Sequence, residues 1–469
     1  MNLLRGRKKI NLFKAVFCAS LTLLLIFPMK PFQAHRVIKI DYDKEYLTPA
    51  LENFVSEGES FSRMNAYLDR WLKRWEVVGA SVAVMKNNKL VYAKGFGHTD
   101  ENQQLEVNPT HLFRVASISK LITATAAMRL VEAGILELDH SVFGPTGYLK
   151  GGIYDQFRDS RAYKIKVEDL IYHRGGFTAK LGDPLFDAPK IAEEMSWELP
   201  LPTDSLISYT LKKRKLRYTP SRGYEYSNFG YLILSRVIQE VTDMPYEEFV
   251  KWSILQPLGI KDMELGKPLE QDRNKFEVAY YDFPKGEKRA SNFKVNEEGL
   301  TTASASGLPY LEGAGGWIAS ASDLVRMVAG IDGVQDGVVT DILAPETVEQ
   351  MVTPLDSKNP SLVMGWRAAN EGRWWRTGTL AGTSAMVSRE KDGTVWVMIL
   401  NTSTYKRNYM PSQIRSAMRY GMALVKDWPD RDLFDNYLYG GRYLKHSTVP
   451  PLNPKELVNE ASISQTSIP

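Results

Sequence analysis

FRVASISKLITATAAM, Phe113 to Met128, is the stretch to which the rest of the chain answers. Ser117 stands at the start of a helix expected from the run Leu121–Met128, which is apolar or small throughout. Lys120 follows three residues later, and residues at i and i+3 share a helix face. The amine would therefore stand beside the hydroxyl. A serine hydroxyl attacks poorly until a neighbouring base takes its proton. An amine can serve once burial disfavours its charged form. The helix N-terminus adds free N–H groups where an oxyanion would form. Taken alone, Ser-x-x-Lys is a short pattern that chance also supplies, so its meaning depends on the surrounding chain.

The chain has 469 residues, 43% hydrophobic and 24% charged, the composition of a globular protein with a sizeable core. Its formal charge of +4 is unevenly placed. Arg5, Arg7, Lys8, Lys9, Lys14 and Lys30 all lie in residues 1–34, which hold no acid; taking those six from +4 leaves −2 for the remainder. The basic balance thus belongs to the leader and supports no nucleic-acid partner. The leader joins a basic segment to the apolar run Ala15–Met29, broken by Pro28. That is short for a membrane span and fits a signal peptide. Phe32-Gln33-Ala34 is a poor cleavage site, so an uncleaved anchor through residues 15–29 stays open. Export to the periplasm or exterior is the expectation, with membrane association through the N-terminus as its variant. The single cysteine, Cys18, lies in this leader. The body therefore has no disulfide framework, thiol nucleophile or cysteine-bound zinc.

In order, Phe61–Trp75 has helical spacing, and Gly79–Met85 and Leu90–Gly97 read as a hairpin about Asn87-Asn88. The Ser117 helix ends near Gly134. Lys166–Thr178 reads as a short helix running into a glycine turn. Residues 180–215 read as an insertion or a loop-and-helix cap. A strongly periodic helix follows Tyr226-Ser227-Asn228, capped by Ser227 or Asn228. Val278–Tyr281 looks strand-like, Gly313–Ile318 reads as a glycine-rich turn, and Ser320–Leu324 opens a helix. Gly372–Asn401 reads as a three-stranded meander, and Met410–Val425 as a final helix. The expected fold is α/β of the α+β type: an antiparallel sheet of N- and C-terminal strands flanked by helices, with a mostly helical second lobe over about 135–270. The expected domains are a leader over 1–34, one domain over 60–425, and a tail over 426–469 that turns disordered. The Ser117 helix would lie where the lobes meet.

Two more stretches supply partners for the serine. In Tyr226-Ser227-Asn228 an extended backbone points the outer side chains the same way. Tyr226 can relay a proton, and Asn228 can donate to a substrate carbonyl. In Trp375-Arg376-Thr377-Gly378-Thr379, Arg376 can hold a substrate carboxylate or lower the pKa of Tyr226. Gly378 would let a substrate backbone lie against the strand. The Thr379 N–H could complete an oxyanion hole with that of Ser117.

Ser117-Ile118-Ser119-Lys120, Tyr226-Ser227-Asn228 and Arg376-Thr377-Gly378, in this order, resemble the three motifs of the serine β-lactamase and penicillin-binding-protein superfamily. The resemblance is closest to class C β-lactamases, serine DD-peptidases and related esterases. It covers roughly residues 60–425 and includes Leu170–Gly176, Gln256–Ile260 and Gly315–Ser320. It implies a β-lactamase/transpeptidase-like fold and acyl-enzyme chemistry. Ser117, Lys120 and Tyr226 would be catalytic, and Asn228, Arg376, Thr377, Gly378 and Thr379 would bind substrate. One position departs: Arg376 stands where the family has Lys or His, and it cannot give up a proton. No residue is assigned as an efficient water-activating base. Both points favour a peptidase or esterase over an antibiotic-destroying lactamase, acting on a small molecule or peptide, one bearing a carboxylate included. A catalytically silent member that binds peptide or cell-wall fragments is the alternative.

Other chemistries have thinner support. There is no Gly-x-Ser-x-Gly elbow, so an α/β-hydrolase is disfavoured. The six histidines are scattered, with no His-x-x-x-His pair. His173 before Gly175-Gly176 is read as a turn residue. Gly313–Gly316 lacks the Lys-Ser/Thr of a phosphate loop. Neither a cofactor nor a metal is expected.

Overall fold

The computed structural model describes residues 51–434, apart from 101, 103–104, 284–287, 290–299, 302–306 and 405–408. They belong to one compact unit, Thr48–Pro469; the other unit, Met1–Leu47, lies outside them. The expected leader and the tail beyond 434 are likewise outside the described residues. Among the described residues, no helix is long and apolar enough to cross a membrane.

Helix α1 (Glu59–Arg74) leads into strands β1 (Gly79–Lys86) and β2 (Lys89–Gly97). Asn87 and Asn88 between the strands both take left-handed φ, 50° and 55°. Asparagine tolerates that geometry, and its twist matches a two-residue hairpin. The chain continues through α2 (Ser119–Glu132), α3 (Asn228–Thr242), α4 (Leu308–Gly315) and α5 (Ala321–Ala329). It returns as β3 (Ala368–Asn370), β4 (Arg373–Leu380), β5 (Thr383–Arg389) and β6 (Val395–Leu400), then ends in α6 (Met410–Ala423). All six strands form one antiparallel sheet in the order β2-β1-β6-β5-β4-β3. The early and late parts of the chain meet in its middle, with Ala80 opposite Leu400 and Met85 opposite Val395.

The sheet is covered on both faces, which explains why its central strands read as near-continuous apolar runs instead of alternating ones. Val82, Val84, Trp396 and Met398 pack under α1 and α6 with Met64, Leu68, Ile414 and Met418. Ala83, Met85, Val397 and Ile399 face the other way, into the larger core shared with Leu121, Ile122 and Val325. Each Val, Leu, Ile or Met side chain among them, fully withdrawn from water, contributes on the order of 1.5–3 kcal/mol.

Two expectations change. Val278–Tyr281 forms no strand. Its N–H groups go to three separate segments, Val278 to the Leu112 carbonyl, Ala279 to Thr99 and Tyr281 to Asn401, so no ladder can propagate. Gly313 and Gly315 lie in α4 rather than in a turn, and Trp317–Ala319 is a short strand. The glycine serves close packing: a Cβ at Gly313 would stand 2.8 Å from the Thr123 hydroxyl. The turn-like signal is absorbed by a kink one residue earlier, where Glu312 has φ 32° and ψ −118°.

Gly378 brings the sheet onto α2. A Cβ there would lie 2.0 Å from the Val115 carbonyl oxygen and 3.1 Å from Ala116 Cβ. Its lack of a side chain therefore lets β4 press on the turn that carries Ser117. Gly378→Ala is expected to lower stability by about 1–3 kcal/mol, the scale of overpacking. Thermal unfolding checks this, with slower covalent labelling of Ser117 as its companion.

Candidate active site

Ser117 lies in a single 3₁₀ turn, Ala116–Ile118, two residues ahead of the start of α2 rather than within it. Ala116 has φ 49°, a left-handed value that costs an alanine energy and that the packed surroundings enforce. Of residues 111 to 130, Ser117 alone is not buried. The turn leaves Ser117 partly exposed ahead of a helix that is buried from Ser119 to Leu130.

Lys120 is fully buried at 0% exposure. Its ammonium nitrogen is 2.7 Å from Asn228 Oδ1, 2.5 Å from the Ala314 carbonyl and 3.4 Å from Ser117 Oγ. Burial brings its pKa down to about 8, helped by the Arg376 charge and resisted by Tyr226 and Asp183. Asn228 Oδ1 and the Ala314 carbonyl can only accept hydrogen bonds. They take two N–H bonds, so the third valence of Nζ faces Ser117. It carries a proton in the ammonium and a lone pair in the neutral amine.

Tyr226 donates to Ser117 Oγ at 2.7 Å. Burial pushes its phenol up, but the Lys120 and Arg376 charges outweigh that and bring it down to about 8. Ser227 is extended, with φ −135° and ψ 119°, and caps α3 by accepting from the Gly230 N–H at 2.9 Å. Its neighbours Tyr226 and Asn228 therefore reach the same cluster, as the alternation of an extended segment requires. His173 takes φ 58° and is 6% exposed. Its Nδ1 accepts from the Ser227 N–H at 3.2 Å, and its ring lies 4.5 Å from that of Tyr226. Burial, then the Arg376 and Lys120 charges, keep it neutral, with a pKa well below the usual histidine value. It is a turn residue that also backs the tyrosine.

Arg376 is 2% exposed. Nε donates to the Ser117 carbonyl at 2.8 Å, Nη1 to the Trp366 carbonyl at 3.1 Å and Nη2 to the Tyr226 hydroxyl at 3.1 Å. Of the two tasks open to it from sequence, this arrangement serves the action on Tyr226. The Asn228 amide is held at both ends, its Oδ1 accepting from Lys120 and one N–H of its Nδ2 donating to Asp183 Oδ2 at 2.7 Å.

The Trp375 carbonyl accepts from Arg367 N–H on the β3 side of β4. By strand alternation, Thr377 and Thr379 turn their backbone polar groups to that same edge. β3 ends its pairing at Trp375, opposite Ala368, and leaves the edge beyond uncovered. The Thr379 N–H is thus on the side where an extended substrate would add.

Sequence reasoning missed Asp183, the Ala314 carbonyl and Glu312. Asp183 lies in the segment read as an insertion, and a lone loop aspartate carries no signal. A backbone carbonyl has no sequence signature at all. Glu312 sits at the kink that presents Ala314, bonded to Arg236 at 2.9 Å. Among the described residues, no group of three or more His, Cys, Asp or Glu side chains could hold a metal ion.

Comparison with known proteins places this arrangement. Protein flp of Staphylococcus aureus is 24% identical over 201 residues, 43% of this chain and 37% of that protein. The chain spans less than half the length of the curated relatives it matches. The D-amino acid amidase of Ochrobactrum anthropi superposes with a TM-score of 0.59 at 20% identity, over 79% of this chain and 99% of that one. A penicillin-binding protein homologue from Pyrococcus abyssi gives 0.56 at 20% identity, over 76% and 77%. These similarities carry the fold. The Beta-lactamase family profile matches residues 66–418, and the chain belongs to the beta-lactamase family.

Proposed function

We propose that this protein is a serine hydrolase that works through an acyl-enzyme on an amide or an ester. The observation that carries the reading is the half-exposed Ser117 hydroxyl, bonded at 2.7 Å by Tyr226 and faced at 3.4 Å by Lys120. Ser117 Oγ attacks the substrate carbonyl carbon, and its proton passes to the Lys120–Tyr226 pair. The Ser117 and Thr379 N–H groups hold the oxyanion that forms. Tyr226 returns the proton to the leaving amine or alcohol, and water then releases the acyl group. The family and the fold shared with a D-amino acid amidase make D-amino-acid amides the first substrates to try, beside p-nitrophenyl esters.

Intact-mass spectrometry after incubation with a fluorophosphonate tests the reading. One adduct on the native protein is expected, and none on Ser117→Ala. An unmodified native protein would sink it and favour the silent peptide binder. The neutral amine is the competent base, and both Lys120 and Tyr226 sit at about 8. The rate of adduct formation is therefore expected to rise as pH increases through about 8 and to level off above. A rate flat from pH 6 to 10 would exclude this pair as the base.

A further inference from the structure

Asp183 lies in a loop far from the three motifs in sequence, yet it closes their hydrogen-bond chain. Its Oδ2 accepts from Asn228 Nδ2 at 2.7 Å, and its Oδ1 accepts from the Leu185 N–H at 3.0 Å. Both oxygens accepting is the arrangement of a carboxylate. Among the described residues, no lysine or arginine forms an ion pair with it. A side-chain amide has two unlike ends, one accepting and one donating, and either could face Lys120. A carboxylate decides between them, because it accepts only.

We infer that Asp183 is a positioning residue, holding the Asn228 amide in the one orientation that leaves the third valence of the Lys120 nitrogen aimed at Ser117. With the amide reversed, its N–H groups would face Lys120. The neutral amine would then turn its lone pair toward Asn228 and a proton toward Ser117, and it could not act as a base. The inference rests on the proposed serine hydrolase for its consequence, but not for its geometry. Asp183 also places a negative charge one amide away from Lys120 and favours its ammonium form. The other groups facing that nitrogen are the Tyr226 hydroxyl, the Tyr226 and Tyr231 rings at 4.9 and 5.5 Å, and the Arg376 charge. Burial pushes the Asp183 carboxyl above the usual aspartate range, while the Asn228 and Leu185 bonds and the Lys120 charge pull it back.

Two variants separate orientation from charge. Asp183→Asn keeps an oxygen that can accept from Asn228 but removes the charge. Asp183→Ala removes both. The first readout is the ¹³C NMR titration of the Lys120 ε-carbon in lysine-labelled full-length protein, assigned with Lys120→Arg. The second is the rate of fluorophosphonate labelling against pH. In Asp183→Asn the Lys120 midpoint is expected to fall by roughly half a unit, since a nearby negative charge is gone, and it should fall further in Asp183→Ala, where the N–H groups of a reversed amide would face the ammonium. The rising limb of the labelling rate should move down with it. The plateau rate should stay within about threefold of native in Asp183→Asn and fall by about tenfold or more in Asp183→Ala.

A Lys120 midpoint no lower in Asp183→Ala than in Asp183→Asn, or a native plateau rate in Asp183→Ala, overturns the inference. A purely structural role would lower the folded fraction and leave the two midpoints equal. If the native protein takes no label, the hydrolase reading falls, and the NMR titration still judges Asp183. If Asp183→Ala does not fold, Asp183→Leu, which fills the space but accepts no hydrogen bond, decides through the same titration.

Discussion

Ser117→Ala is expected to abolish covalent labelling and to cut turnover by roughly 10⁵-fold or more, the scale of losing an attacking atom. The fold should survive, with a stability change within about 1 kcal/mol. Every other member of the cluster keeps a partner without that hydroxyl. Lys120 still has Asn228 and Ala314, and the Tyr226 hydroxyl still accepts from Arg376. Thermal unfolding alongside turnover separates lost chemistry from a lost fold. Turnover within tenfold of native, with the variant folded, would move the nucleophile elsewhere.

Arg376→Ala is the second large effect, and it should show in both stability and rate. Removing the guanidinium leaves the Ser117 and Trp366 carbonyls without the donor that holds them. At about 1–3 kcal/mol for each buried polar group so stranded, stability should fall by about 2–6 kcal/mol. The Tyr226 phenol also loses a cation that lowers it, and Lys120 loses a charge that repels its ammonium form. Both pKa values should therefore rise, and the rising limb of activity should move above pH 8. At neutral pH the rate should drop by about 10²–10³. The direction is opposite to that expected for Asp183→Asn, so the two variants check each other. Arg376→Lys, which keeps charge but loses the fork, should fall between native and alanine. A pH profile unmoved in Arg376→Ala would make the residue purely structural.

The departure at Arg376 reads differently in the folded chain. From sequence, an arginine in place of a proton-donating lysine or histidine raised a question about substrate. In the structure its guanidinium bonds the Tyr226 hydroxyl and the Ser117 and Trp366 carbonyls. A fixed charge suits that position, because it acts on the Tyr226 phenol without having to exchange a proton itself.

Much of the fold was legible because its signals are local. Asn87-Asn88 between apolar runs marked the first hairpin. The unbroken Leu121–Met128 run marked a helix buried all round, and Ser227 marked the start of α3. The pairing of early with late strands followed from element order. Val278–Tyr281 misled because its residue types suit a strand while its backbone partners are scattered over three segments. Gly313 misled because glycine is used both for turns and for close packing, and only the neighbouring Thr123 shows which.

By itself, the sequence picked out Ser117, Lys120 and Tyr226, which the structure brings within hydrogen-bond reach of one another. Spacing along a helix or an extended segment settles which side chains share a face. Only the tertiary structure decided the hydrogen-bond partners of Arg376 and Asn228 and brought in Asp183 and the Ala314 carbonyl. These depend on which donor meets which acceptor across segments far apart in the chain. Hydrogen-bond direction is a property of the packed site, and no residue type on its own carries it.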